Sequence, residues 1–585
     1  MEKRYYTNER NVQIVIALLK EYGIRKVIAS PGTTNMTFVA SIQNDPFFEM
    51  YSSVDERSAA YLACGLAAES GEPVVISCTG ATASRNYMPG LTEAFYRKLP
   101  VLAITSHRGD ASIGHLWDQQ IDRRSIPNDI AMLSVTVPLV KEQADIRYCM
   151  NEATKAILAL TQRGGGPAHI NMHTGYSQDF SVKELPKVRK VELHTPFSEL
   201  PTLDEGKRVA IFIGSHKPFS IEDTEAIDNF CAAHDAVVFC DHTSGYHGKY
   251  ETHFSLFFKQ ENYRSPLLNT DILIHLGEVS GDLARVNVGG VWRVSEDGQF
   301  RNTFGCLTRI FEMPERIFFT AYTPQEYEAR TNYYDACQQE LADAMMKLPE
   351  LPFSNVWMAQ QIHDKLPENS YFHMGIYNSL RSYNFFPLPK SVTSSCNVGG
   401  FGIDGGISSL IGASFAHPDI LHIGVFGDLA FFYDMNVCGN RHVGNNVRIL
   451  LVNNGKGNEF RNYGHLCSIF EEDADKYIAA AGHYGNMSSV LVKHYAEDLG
   501  YKYICANNKE EFLRNLDTFV APTIGAAPII FEVFTETEQE SEALKIMSTL
   551  LKDSNVAIAN KIVGSVRSIL GKKRIEQIKG LLGKY

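Results

Sequence analysis

Two polar residues stand at the ends of apolar runs in the last third of the chain. Asp428 comes just after "HIGVF", and Asn454 just after "RILLVN". If both runs are strands of one parallel sheet, their carboxyl ends open into one crevice, the place where such sheets bind ligands. A carboxylate, a carboxamide oxygen and a backbone carbonyl meeting there form a hard-oxygen site suited to Mg²⁺ or Ca²⁺, and Mg²⁺ leaves positions open for phosphate oxygens. Gly427 and Gly455 let the backbone approach that ligand. Taken singly, Asp428 reads as a helix cap and Asn454 as a turn residue. The two together, each closing a strand, favour the ion.

A second group lies near the amino terminus. "YSSVDERSAAYLACGLA" puts Glu56 where a strand gives way to a helix of small residues. Alone, Glu56 reads as a first-turn glutamate stabilised by the helix dipole. "AITSHR" ends on Arg108, which either holds a substrate carboxylate or sits in a surface ion pair. "VGGFGIDGGISSLIGA" is a Gly-rich turn before a helix, weak evidence by itself.

Together these segments resemble the thiamin-diphosphate (ThDP) enzymes, whose metal motif is Gly-Asp followed some 25 residues later by Asn-Asn, and the resemblance runs from about residue 8 to 540. It implies that Asp428, Asn454 and the backbone carbonyl of Lys456 hold Mg²⁺ against the cofactor diphosphate. Gly427, Leu429, Ala430, Asn378, Ser379 and Gly402 would complete the cradle, with Ile403 as the wedge that bends the cofactor. Glu56 would exchange a proton with the aminopyrimidine, its pKa raised by burial against that ring. "CTGATASRNYMPGLTEAF" resembles the family's glycine-rich loop and helix, and "DQQIDR" its glutamine loop, with Gln119 facing the reacting centre. The implied activity is decarboxylation of a 2-oxo acid and ligation of the resulting acyl carbanion to a carbonyl or activated-alkene acceptor. The alternatives are a simple decarboxylase that releases an aldehyde and, from another class, a non-catalytic binding or scaffold protein of the same fold. Glu56 and Asp428 would come from different subunits of a homodimer or homotetramer.

Within the superfamily, "SPG", "DER", "GIDG", "GDLAFFYDMN" and "GGPAHIN" resemble the versions found in SEPHCHC synthases, which join a decarboxylated 2-oxoglutarate to isochorismate. Acetolactate-synthase-type enzymes are more distant. The substrate-binding arginines depart from that pattern. Thr34, Val398 and Tyr383 stand where arginines are expected, and Asp282 and Leu283 replace a basic pair, although Arg381 lies close to the third position. Val and Thr cannot replace a bidentate Arg–carboxylate contact. The expectation is an acceptor other than isochorismate, neutral or sugar-like, and a simpler 2-oxo acid donor.

The elements that must position these residues read as α/β throughout. Short apolar strands such as "PVVISCTG", "PVLAITSH" and "RVAIFIG" alternate with helical periodicity. Three consecutive domains are expected, each a mainly parallel sheet flanked by helices: pyrimidine-binding over 1–180, central over 181–350 and diphosphate-binding over 351–545. A basic amphipathic helical tail over 546–585 either packs on protein or touches a membrane surface, and its four glycines after residue 555 favour packing. A net charge of −12 argues against a nucleic-acid surface. No run approaches a membrane span, no signal peptide is evident, and the 11 scattered cysteines suit a reducing, cytoplasmic setting.

Overall fold

The computed structural model describes residues 4–282, 286–482 and 488–552. Leu283 and the tail from 553 onward lie outside the described residues. The chain forms two compact units, one of residues 1–198 with 298–312, the other of 199–297 with 313 onward. Residues 298–312 group with the first unit.

In the first unit, six strands make one parallel sheet: β1 (Lys26–Ala29), β2 (Glu49–Ser52), β3 (Val74–Thr79), β4 (Val101–His107), β5 (Leu133–Val137) and β6 (Ala168–His173), in the order β2-β1-β3-β4-β6-β5. The central strands β3, β4 and β6 are buried almost end to end, as strands covered on both faces by helices must be. β7 (Glu192–His194) pairs in parallel with a strand at Leu307–Glu312 in the same unit.

The helix Glu56–Ser70 carries the first candidate residue at its amino end. Asp55 caps it, accepting from the amides of Arg57 and Ser58 at 2.8 and 3.3 Å, and Gly71 ends it at φ +69°. Its small residues Ala59, Ala60, Ala63 and Ala67 face inward. A Cβ on Gly90 would come within 2.4 Å of the Ala60 Cβ, so the helix Met88–Arg97 approaches closely only because both positions are small. Tyr61 and Leu62 turn outward on the opposite side and are about half exposed.

The second unit carries two further parallel arrays. Five strands, β8 (Val209–Ile213), β9 (Val237–Cys240), β10 (Glu251–His253), β11 (Asn269–Leu276) and β12 (Asn287–Ser295), run in the order β10-β9-β8-β11-β12. With Leu307–Glu312 counted as β13, the third sheet comprises β14 (Tyr371–Met374), β15 (Thr393–Cys396), β16 (His422–Gly427), β17 (Val447–Asn453), β18 (Lys502–Ala506) and β19 (Ile529–Phe534). Their order is β15-β14-β16-β17-β19-β18. β16 and β17 are adjacent, with Gly427 opposite Val452. Three parallel sheets flanked by helices make this an α/β protein. No helix among the described residues is long and apolar enough to cross a membrane.

Candidate active site

Pairing of β16 with β17 brings Asp428 and the loop after Asn453 to the same sheet end. Asp428 is 2% exposed. Its Oδ1 accepts from the Leu429 amide at 2.7 Å, and its Oδ2 from the Gly455 amide at 2.6 Å. Burial nevertheless pushes this carboxyl up to about 7, against the opposing pull of the Leu429, Gly455, Asn454 and Lys456 amides. Gly455 turns the loop at φ +79°, a conformation that suits glycine. The Asn454 Oδ1 is buried with no hydrogen-bond partner. The Lys456 ammonium does not neutralise Asp428, because it is paired with Asp475 at 2.7 Å. A buried carboxylate lacking a counter-charge beside an orphaned carboxamide oxygen is a donor set that a divalent cation would satisfy. These residues fit Mg²⁺.

The remaining candidates for the diphosphate side lie on other segments of the second unit. Leu429 and Ala430 occupy the first turn of the helix Asp428–Asp434. Asp434 accepts from the Ser408 amide and hydroxyl, both at 2.6 Å, which ties this helix to Gly406–Ala416 behind the Gly-rich turn. Gly402 is exposed and Ile403 half-buried on that turn. Asn378 and Ser379 open the helix Asn378–Tyr383, after Tyr377 at φ +68°. A non-glycine residue there is strained, a pattern concentrated at functional sites.

The sequence reading missed what braces that turn. Glu540 is fully buried and accepts from the Asn355 amide and the Thr535 hydroxyl, and Asn355 in turn reaches Ser379 at 3.4 Å. Burial pushes the Glu540 carboxyl up to about 7. No strand-end pattern marks Glu540, which sits inside a helix of ordinary composition.

The positions flagged for lost arginines offer no cation. Thr34, Val398 and Tyr383 are all buried, and Thr34 donates to the Ser106 carbonyl at 2.7 Å. Asp282 binds Lys259 at 2.7 Å. Arg381, expected to compensate, is engaged by Glu459 in a two-pronged pair.

In the first unit Glu56 is half-buried, and its Oε2 accepts from Asn86 at 3.4 Å. Gln119 is exposed at φ +57°. It is Gln120 whose carboxamide oxygen is buried without a partner, so the glutamine loop turns its second glutamine inward. Arg108 bonds both oxygens of Asp118, at 3.2 and 3.0 Å, and the Tyr176 hydroxyl at 2.8 Å. Of the two readings offered for Arg108, the ion pair is the one this geometry displays.

The sheet also assembles a polar cluster hidden in the sequence. His107 ends β4 and His173 ends β6, and their registered pairing sets the rings 4.6 Å apart and edge to face. Asp110 Oδ1 lies 3.6 and 3.7 Å from their Nε2 atoms. Arg123, 5% exposed, donates to Thr105 and Asn171, both at 2.6 Å. Burial, with Arg123 next in effect, pulls His107 and His169 down to about 3, so both are neutral near pH 7.

Residues 10–126 match the family described as thiamine pyrophosphate enzyme, N-terminal TPP binding domain. Several curated proteins match nearly the whole chain, each called 2-succinyl-5-enolpyruvyl-6-hydroxy-3-cyclohexene-1-carboxylate synthase. The protein from Phocaeicola vulgatus is 28% identical over 94% of this chain and 100% of its own. That from Bacteroides thetaiotaomicron is 27% identical over 92% of this chain and 98% of its own. That from Flavobacterium psychrophilum is 28% identical over 90% and 96%.

Proposed function

The chain belongs to the thiamin-diphosphate-dependent enzyme superfamily, and from that premise we propose a Mg²⁺-dependent carboligase that decarboxylates a 2-oxo acid and joins the product to an acceptor. The observation that carries this reading is the Asp428–Asn454 pair, a buried carboxylate and an orphaned carboxamide oxygen at adjacent strand ends. ThDP, when bound, supplies the carbon nucleophile that the protein itself lacks.

The chain's own residues bind, orient and move a proton. Asp428, Asn454 and the Lys456 carbonyl would hold Mg²⁺, and Asn378, Ser379, Gly402, Gly427, Leu429 and Ala430 would complete the cradle around the cofactor. Ile403, half-buried on the Gly-rich turn, would serve as the wedge. Glu56, which accepts from Asn86, would exchange a proton with a ring nitrogen of the cofactor. Gln119 or its inward neighbour Gln120 orients the substrate. In the proposed cytoplasmic homodimer or homotetramer, Glu56 meets the diphosphate-binding residues of a second copy. The outward apolar face of Tyr61 and Leu62 suits such a contact.

The buried, uncharged Thr34, Val398 and Tyr383 and the pairing of Arg381 with Glu459 support an acceptor other than isochorismate. A second reading, decarboxylation with release of an aldehyde, gains from the His107–His173–Asp110 cluster, which has the makeup of a proton relay. Because His107 is neutral near pH 7 and a weak acid catalyst there, ligation leads. The test is to screen 2-oxo acids for CO₂ release with ThDP and Mg²⁺, with and without aldehyde and ketone acceptors. A ligated product supports the proposal, aldehyde alone supports the second reading, and no CO₂ from any acid overturns both.

A further inference from the structure

Arg85 and Arg123 line one narrow, mostly apolar cleft in the first unit, among Thr105, His169, Met88, Leu91 and Ile126. Among the described residues no carboxylate lies within ion-pair distance of either guanidinium. Arg123 donates to the Thr105 hydroxyl and the Asn171 carboxamide, and Arg85 to the Asp122 carbonyl at 2.8 Å. This sets them apart from Arg108 and Arg381, each clamped by a carboxylate.

Leaving a guanidinium buried among neutral partners costs several kcal/mol unless an anion completes it. The neighbours are arranged as though the charge is to be kept. Arg123 fixes Asn171 with its oxygen inward, so the Asn171 amide donates to His107 Nε2 at 3.0 Å. Thr105 accepts from Arg123 and so turns its own hydrogen to His169 Nε2, whose Nδ1 then donates to Ser134. The groups hydrogen-bonded to the guanidinium are thereby oriented and neutral, while the charges of Arg85 and Asp110 act on it from further off.

The cleft adjoins the proposed catalytic floor. Gly80, just after β3, packs closely on β4: a Cβ there would stand 3.0 Å from the Ser106 carbonyl oxygen, 3.3 Å from the His107 Cβ and 3.4 Å from an Arg123 terminal nitrogen. The short helix Ala81–Asn86 presents Arg85 to the cleft while its last residue contacts Glu56.

We propose that Arg85 and Arg123 form a receptor for an anionic group, carboxylate or phosphate, that a substrate carries away from its reacting carbon. The proposal rests on the carboligase reading for its substrate, though not for its anion. The group is a spectator, because a cation clamped on the carboxylate that leaves as CO₂ would stabilise the ground state against its loss.

The test uses the full chain with ThDP and Mg²⁺, in wild-type, Arg85→Met, Arg123→Met, Arg123→Lys and, as a control, Arg124→Met, which removes the adjacent exposed arginine. Calorimetric titration with inorganic phosphate and with succinate is expected to show binding that weakens about tenfold or more in Arg85→Met and Arg123→Met, less in Arg123→Lys, and not in Arg124→Met. Arg123→Met is expected to match or exceed the wild-type melting temperature, since it removes a buried charge; a purely structural role predicts a fall.

In turnover, comparing KM values for 2-oxoglutarate and 2-oxobutyrate reports a donor group, and comparing those for glyceraldehyde 3-phosphate and glyceraldehyde reports an acceptor group. In Arg85→Met and Arg123→Met, KM for the charged member of one pair should rise about tenfold with kcat held, its neutral counterpart unchanged. Phosphate binding that needs Arg123, with no change in either pair, would assign the cleft to a free anion and overturn the substrate claim. Equal binding of both probes by wild-type and Arg123→Met, or by neither, overturns the receptor itself. Wild-type protein that releases no CO₂ defeats the carboligase reading, while the titrations still decide the cleft.

Discussion

Arg381 grips Glu459 with both terminal guanidinium nitrogens, at 2.8 and 2.7 Å. A bidentate pair of this kind holds the cation's planar fork fully occupied. The arginine on the Asn378–Tyr383 helix therefore carries its own counter-charge. Glu459→Gln should release it and lower KM for the dicarboxylate 2-oxoglutarate about tenfold relative to 2-oxobutyrate. An unchanged ratio, measured by CO₂ release, would show that Arg381 faces no substrate.

Glu56→Gln tests the proton exchange. An amide keeps the bond to Asn86 but cannot exchange the proton. Turnover should fall about a hundredfold or more with cofactor affinity largely kept. Hydrogen–deuterium exchange at C2 of bound ThDP reads the step directly. Near-normal exchange in the variant would remove Glu56 from this role.

The Asp428 carboxyl of the unloaded protein is protonated below about 7. At the proposed site Mg²⁺ would have to displace that proton, so its affinity should drop about tenfold per pH unit below that point and level off above it. Asp428→Asn should bind weakly at every pH. Stability follows the opposite sense: the folded chain keeps a proton that the unfolded chain releases between 3.8 and about 7. Unloaded protein should therefore lose stability as pH rises through that window, and Glu540, raised from 4.5 to about 7, adds to the slope. Melting temperatures across the window check the sign, and a rise with pH would contradict it.

Mixing inactive Glu56→Gln with inactive Asp428→Ala tests the shared site. Random exchange makes half the dimers mixed, each with one intact site, so recovery should reach about a quarter of wild-type activity. Mixed dimers that stay inactive, or an active monomer by sedimentation, would rule out sharing.

What the sequence made legible follows from which interactions are local. Strands such as Val74–Thr79 and Val447–Asn453 read as continuous apolar runs because helices cover both faces of a parallel sheet. Asp428 and Asn454 were visible because each breaks such a run at its end. Pairings across the sheet left no local trace. His107 meets His173 only through the register of β4 with β6, and Glu540 reaches Asn355 only through packing. Gln119 and Gln120 are alike in sequence, and a positive φ at Gln119 decides which one turns inward. Arg123 drew no notice because burial, not residue type, distinguishes it from Arg124.

The orphaned Asn454 oxygen and the uncompensated Asp428 carboxylate have a consequence for the protein's lifetime. If the proposed Mg²⁺ site is theirs, both defects would be present only while it is unloaded, and the loaded form would be the more durable one. Saturation at a hundred times the dissociation constant adds about 2.7 kcal/mol to the folded state. Proteases that act on transiently opened chains would clear unloaded molecules first. The amount of this enzyme in a cell would then rise and fall with the supply of its vitamin, with no change in synthesis.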